Sequence, residues 1–195
     1  MNHQRLGILR VTALGLLGAC ASLLLSCSLP TLEPARADTV RYYVLGGTAG
    51  LQFGSAGINV MPVRIPVYLQ SRLMALRVAE NEVRYAAEAH WAEPLDIAIT
   101  QQLRARMAKE SAGRDCTVQV LVQQCEGAPG SGNNVLLTAL FEITAGDKNA
   151  KSERHEFRAK PRKWDGKDYS QLALQLREAV NELGDAVVSM LPGKM

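Results

Sequence analysis

Beyond residue 38 the chain predicts a mixed α/β (α+β) fold: a single domain in which a mainly antiparallel sheet is packed by two longer helices. Three observations carry that expectation. Leu95, Ile99, Leu103 and Met107 recur at four-residue spacing, the pattern of a helix with one apolar face. Leu172, Leu176, Val180, Leu183, Val187 and Met190 draw a second such stripe near the C-terminus. Between them, Leu137, Ala139, Phe141 and Ile143 alternate with Thr138, Glu142 and Thr144, the period of a strand buried on one face.

The first 27 residues have another character. Arg5 and Arg10 precede an uncharged run from Val11 to Leu25, the layout of an export signal. That run is shorter than the ~20 apolar residues of a membrane-spanning helix. Two cysteines compete for a lipid-processing site. Leu17-Gly18-Ala19-Cys20 has the better small residues, but cutting there leaves Ala21 to Leu25 as a greasy start to the mature chain. Leu24-Leu25-Ser26-Cys27 ends where the apolar run ends. Cys27 is therefore the expected lipid attachment residue, with Cys20 as the alternative. Several acyl chains at about 0.8 kcal/mol per buried CH2 anchor stably where one chain does not. Ser28, where an Asp would retain the protein at the inner membrane, implies the periplasmic face of the outer membrane. The expected organisation is a lipoprotein signal peptide at 1–26, a lipidated tether at 27–38 and one domain at 39–192.

Removing residues 1–26 takes Arg5 and Arg10 from 22 basic residues and nothing from 19 acidic ones, leaving 20 against 19. So balanced a charge gives no reason to expect nucleic acid as a partner. The 169 residues that remain can bury a sizeable core. Only three Phe are present, so Leu, Val, Ile, Ala and Tyr must fill it.

Val40-Arg41-Tyr42-Tyr43-Val44-Leu45, closed by Gly46-Gly47, reads as the first strand. About fifteen residues separate Cys27 from Tyr42, enough to hold the domain tens of Å off a membrane. Gly46 to Gly57 holds five glycines with Leu51 and Phe53 among them, a loop composition. Its apolar residues either tuck onto the domain or touch a partner. Ile58 to Val63 makes a second strand, confined to an edge or ended by Pro62 and Pro66. Pro66 to Arg72 reads as a helical turn.

Leu76 to Tyr85 fits a hairpin turning at Glu80-Asn81. Pro94 suits the first turn of the following helix, where its missing N–H costs nothing. Residues 116–125 and 134–144 are strands joined by a long loop from Glu126 to Asn133, and Ser152 to Lys160 adds a third antiparallel strand. Asp168 and Gln171 stand at N-cap and N3 of the last helix, close to a capping box.

Cys116 and Cys125 would lie in a compartment that oxidises exposed thiols. If one continuous strand joins them they are about 30 Å apart, beyond disulfide reach, so a bridge needs the segment to fold back.

Catalytic chemistry is not apparent. His90 and His155 lack partners at repeated metal-ligand spacing, so no metal and no cofactor is expected. A nucleophile elbow, a Cys-x-x-Cys pair and a phosphate-binding glycine loop are all missing. Glu88, Glu93 and Asp96 are acids that could pair in an envelope hydrolase, but scattered acids ordinarily form a solvated surface.

Three stretches carry a family resemblance: Tyr42-Tyr43-Val44-Leu45, Ile65-Pro66-Val67-Tyr68-Leu69 and Trp91-Ala92-Glu93-Pro94-Leu95, with Arg72 between the last two. In order and spacing they resemble the ABC-type transport auxiliary lipoproteins, the PqiC-like family. The glycine-rich loop and the Cys116/Cys125 pair depart from its pattern. The resemblance implies a TolB amino-terminal-domain-like fold and a non-enzymatic outer-membrane lipoprotein. Its implied partners are an MCE-domain protein and inner-membrane transport components that move lipids or other hydrophobic molecules, with assembly as a homo-oligomeric ring. Leu51, Phe53, Tyr68, Leu69 and Trp91 are the candidate partner-interface residues. For Tyr42, Tyr68, Leu69 and Trp91 the competing expectation is that they close a core poor in Phe. A stand-alone outer-membrane assembly or cell-wall-binding lipoprotein is the alternative function.

Overall fold

In chain order the elements are β1 (Arg41–Tyr43), β2 (Ile58–Val60), a 3-10 helix (Val67–Gln70), β3 (Leu73–Ala79), β4 (Glu82–Trp91) and α1 (Leu95–Ala108). They continue with β5 (Cys116–Ala128), a second 3-10 helix (Pro129–Ser131), β6 (Asn134–Ala145), β7 (Ser152–Arg158), β8 (Arg162–Lys163) and α2 (Tyr169–Met190). This computed structural model describes residues 39–46, 57–110, 113–146 and 152–192. Cys20, Cys27, Leu51 and Phe53 lie outside the described residues.

The described strands form one mixed eight-stranded sheet in the order β1-β4-β3-β5-β6-β7, with β2 also beside β5 and β8 also beside β6. Its spine is the antiparallel β5–β6 ladder, which runs from Cys116↔Ala145 to Ala128↔Asn134. The alternation read from the sequence sets the two faces. Val118, Val120 and Val122 on β5 and Leu137, Ala139, Phe141 and Ile143 on β6 are buried. They share one core with Ile99, Leu103 and Met107 of α1 and Leu172, Leu176, Val180 and Leu183 of α2. Each Val, Leu, Ile, Phe or Met among them, fully buried, contributes about 1.5–3 kcal/mol. The hairpin expected at Glu80-Asn81 forms, with Arg77 opposite Val83 and Ala79 opposite Glu82. Three pairings, β1–β4, β2–β5 and β3–β5, are parallel.

Several local expectations are corrected. β5 extends past Cys125, because Glu126 and Gly127 still pair with Leu136 and Val135. The expected eight-residue loop therefore shrinks to the Pro129–Ser131 turn, closed by Gly132 and Asn133 in the left-handed region. Gly130 is required there, since a Cβ would collide with the Val78 carbonyl. β2 stops at Val60, yet Met61 and Arg64 still donate their N–H groups to Val118 and Val120 carbonyls, each at 3.0 Å. Pro94 is the N-cap of α1, one position ahead of the first turn. At α2, Asp168 accepts the Ser170 N–H at 2.8 Å, but Gln171 Oε1 accepts from Asp165 and leaves the capping box open. Met190, the last residue of the stripe, is exposed.

Candidate functional site

The first and third motif stretches, distant in sequence, meet at the C-terminal end of β4, and Arg72 joins them there. Tyr43 pairs with Trp91 in the parallel β1–β4 ladder, and the Ala92 N–H donates to the Tyr43 carbonyl at 2.8 Å. From the other side the Trp91 N–H donates to the Arg72 carbonyl at 2.6 Å. Trp91 and Leu69 are buried in the core, so in this arrangement they do not reach the surface. Tyr68 is half-buried against the core and Tyr42 is exposed, its ring edge-on to His90 at 5.6 Å.

Tyr68 belongs to a polar cluster that sequence reasoning missed. Arg77 Nε lies 2.5 Å from Glu126 Oε1, and the Glu126 side chain is fully buried. Its other oxygen, Oε2, finds no hydrogen-bond partner. The Tyr68 hydroxyl donates to the Gln123 carbonyl at 3.2 Å, and the Tyr85 hydroxyl donates to the Tyr68 carbonyl at 3.0 Å. Burial first, and the Glu126 charge second, push the Tyr68 phenol up to about 12. The one available signal was Arg77 in a hairpin otherwise rich in apolar residues. Glu126, assigned to a loop, gave none.

Among the described residues, two surface grooves that border the sheet stand out. One, of about 600 Å³, lies along Met61, Arg64, Leu121, Leu140, Glu142 and Arg154. Leu121 and Leu140 are paired across β5 and β6, on the face opposite the core residues. Arg154 reaches Glu142 at 3.4 Å and occupies part of that rim. The second groove, of about 500 Å³, runs between β1 and the start of α2, where Tyr42, Val44, Leu174 and Arg177 line it.

Among the described residues no group of three or more His, Cys, Asp or Glu side chains could hold a metal ion. Glu93 and Asp96 sit at the entrance and first turn of α1, where a negative charge complements the helix dipole. Cys116 and Cys125 are free, buried and on one strand, so the fold-back that a bridge between them requires does not occur. No helix of the described residues is long and apolar enough to cross a membrane.

The fold has solved counterparts. A crystal structure titled only as an uncharacterized protein matches with a TM-score of 0.62 at 17% identity, covering 76% of this chain and 95% of the other. Protein XCC0632 from Xanthomonas campestris, of family DUF330, matches with a TM-score of 0.54 at 16% identity, covering 76% and 90%. At such identities the likeness shows the fold alone. No curated protein matches the chain. The family model described as ABC-type transport auxiliary lipoprotein component spans residues 43–188, and the chain belongs to that family.

Proposed function

We propose that the protein is a non-enzymatic outer-membrane lipoprotein that serves an MCE/ABC-type envelope transport system moving lipids or other hydrophobic molecules. The observation that carries this reading is the family match from 43 to 188, which takes in all three motif stretches except Tyr42. An auxiliary transport component needs a partner and a place, not a nucleophile. The place is supplied by the N-terminal sequence, where Cys27 would carry the lipid and residues 27–38 would act as the tether. Extended, twelve residues reach roughly 40 Å. The partner is an MCE-domain protein with its inner-membrane components, and Leu51, Phe53 and the half-buried Tyr68 are the side chains proposed to meet it.

The test is affinity purification of the full-length lipoprotein from its own envelope under mild detergent, with a Cys27→Ser variant alongside. Recovery of an MCE protein with ABC components, weakened in the variant, supports the reading. Recovery of the lipoprotein without such a partner sinks it.

A further inference from the structure

We infer that residues 65–71 form a strap that opens as a unit while the sheet stays folded, and that in its closed form it covers the Glu126 carboxylate. The strap fills a gap along one edge of β5. Just before it the Val122 N–H donates to the Arg64 carbonyl at 2.9 Å. Just after it the Trp91 N–H donates to the Arg72 carbonyl at 2.6 Å, and β3 rejoins β5 at Leu76↔Gly127. The main chain therefore pins the segment at both ends. Among the described residues no main-chain hydrogen bond joins residues 65–71 to another element. Their own bonds are local, as from the Leu69 N–H to the Pro66 carbonyl at 3.0 Å. The backbone is extended at Pro66 and Ser71, on either side of the 3-10 helix, and no side chain caps the helix start. A short segment without ladder bonds opens at lower free energy than the strands beside it.

Side chains hold the strap shut. Leu69 is buried in the core. The Tyr85 hydroxyl donates to the Tyr68 carbonyl at 3.0 Å, and the Tyr68 hydroxyl donates to the Gln123 carbonyl at 3.2 Å. Val122 pairs with Ala139 and Gln124 with Thr138, so Gln123 is the extra residue of a bulge. Tyr68 thus latches the strap to the one point of this edge that neither Arg64 nor β3 reaches.

A buried oxygen works against closure. The Tyr68 hydroxyl also lies within reach of the Glu126 carboxylate, but a hydroxyl has a single proton to give. Given to Gln123, it leaves Glu126 Oε2 occluded and without a donor. Such an oxygen is costly to keep from water, and opening hydrates it. Leu69 and the two hydroxyl bonds favour the closed form, whereas hydration of Glu126 favours the open one. The strap carries the second motif stretch, so that stretch is a moving part. The inference goes beyond the transport role proposed above and does not depend on it.

The experiment is native-state hydrogen exchange on the purified full-length protein in increasing low urea. The amides of residues 67–70 are expected to exchange together, about tenfold or more faster than those of Val118 and Val120, and with little dependence on urea, because a local opening exposes little surface. The Val122 and Trp91 amides, which pin the ends, are expected to stay as protected as the core. Tyr68→Phe removes one net hydrogen bond from the closed form and should speed exchange at 67–70 about tenfold. Arg77→Met with Glu126→Leu removes the unpaired oxygen and should slow it by a similar factor. Exchange at 67–70 with the rate and urea dependence of the core, loss of protection at Val122 and Trp91 along with the strap, no change in folded Tyr68→Phe, or faster exchange in the folded double variant would each overturn the proposal.

Discussion

Glu126 is held by Arg77 from the neighbouring strand, Nε to Oε1 at 2.5 Å, with its side chain fully buried. Leu76 and Gly127 pair in parallel immediately beside them, so this ion pair stands where β3 joins β5. A buried carboxylate that loses its only cation is strongly destabilising, whereas replacing both partners by apolar groups is often close to neutral.

Arg77→Met should therefore lower stability by about 3–5 kcal/mol, and Arg77→Met with Glu126→Leu should recover most of that loss. Chemical denaturation of the two variants and the wild type checks it. Equal losses in the single and double variants would contradict the assignment.

Stability should fall at high pH. The Tyr68 phenol is pushed from 10.0 up to about 12 by burial and then by the Glu126 charge, so the folded state holds that proton more tightly than the unfolded chain. The stabilisation is complete below pH 10 and is lost as pH rises through 12. Burial likewise pushes the Cys125 thiol from 9.0 up to about 12, with the same sign. The thermal midpoint should drop between pH 9 and 12, and Tyr68→Phe should make that drop shallower above pH 10.

Cys116 and Cys125 should resist a thiol reagent in the native protein and react completely on denaturation, because both are buried and unpaired. Mass spectrometry of the protein alkylated before and after unfolding reads this directly. A native species lacking both free thiols would contradict it.

Gly127→Val should cost about 1–3 kcal/mol. A Cβ at Gly127 would meet Leu172 Cδ2 and Trp164 Cζ2 at 3.1 Å, in the packed face between β5 and α2. Asp168→Ala should cost about 1 kcal/mol through loss of the cap on the Ser170 N–H. Both are measured by urea unfolding.

The periodic parts of the fold were legible. The Leu95–Met107 and Leu172–Met190 spacings and the Leu137–Ile143 alternation report directly which face each element buries, and both helices and the β5–β6 spine follow from them. Boundaries were less legible where long-range pairing decides them. Glu126 and Gly127 look like turn residues, yet the β6 ladder keeps them in a strand and Arg77 neutralises the acid. The parallel β1–β4 and β3–β5 pairings leave no local mark at all. They determine which motif residues meet, so the candidate surfaces could not be read from spacing. Trp91 shows the same limit, since its position in the sequence is equally compatible with an interface and with the core it occupies.

β1 holds only the pairs Arg41↔Ala89, Tyr42↔His90 and Tyr43↔Trp91, and it is the strand nearest the N-terminal segment. Any tension carried by that segment enters the domain at this short ladder, far from the long β5–β6 ladder. The first element to yield under such a load is thus one whose departure leaves the β5–β6 spine and both helices in place, a mechanical fuse for a domain held by the lipid tether proposed above.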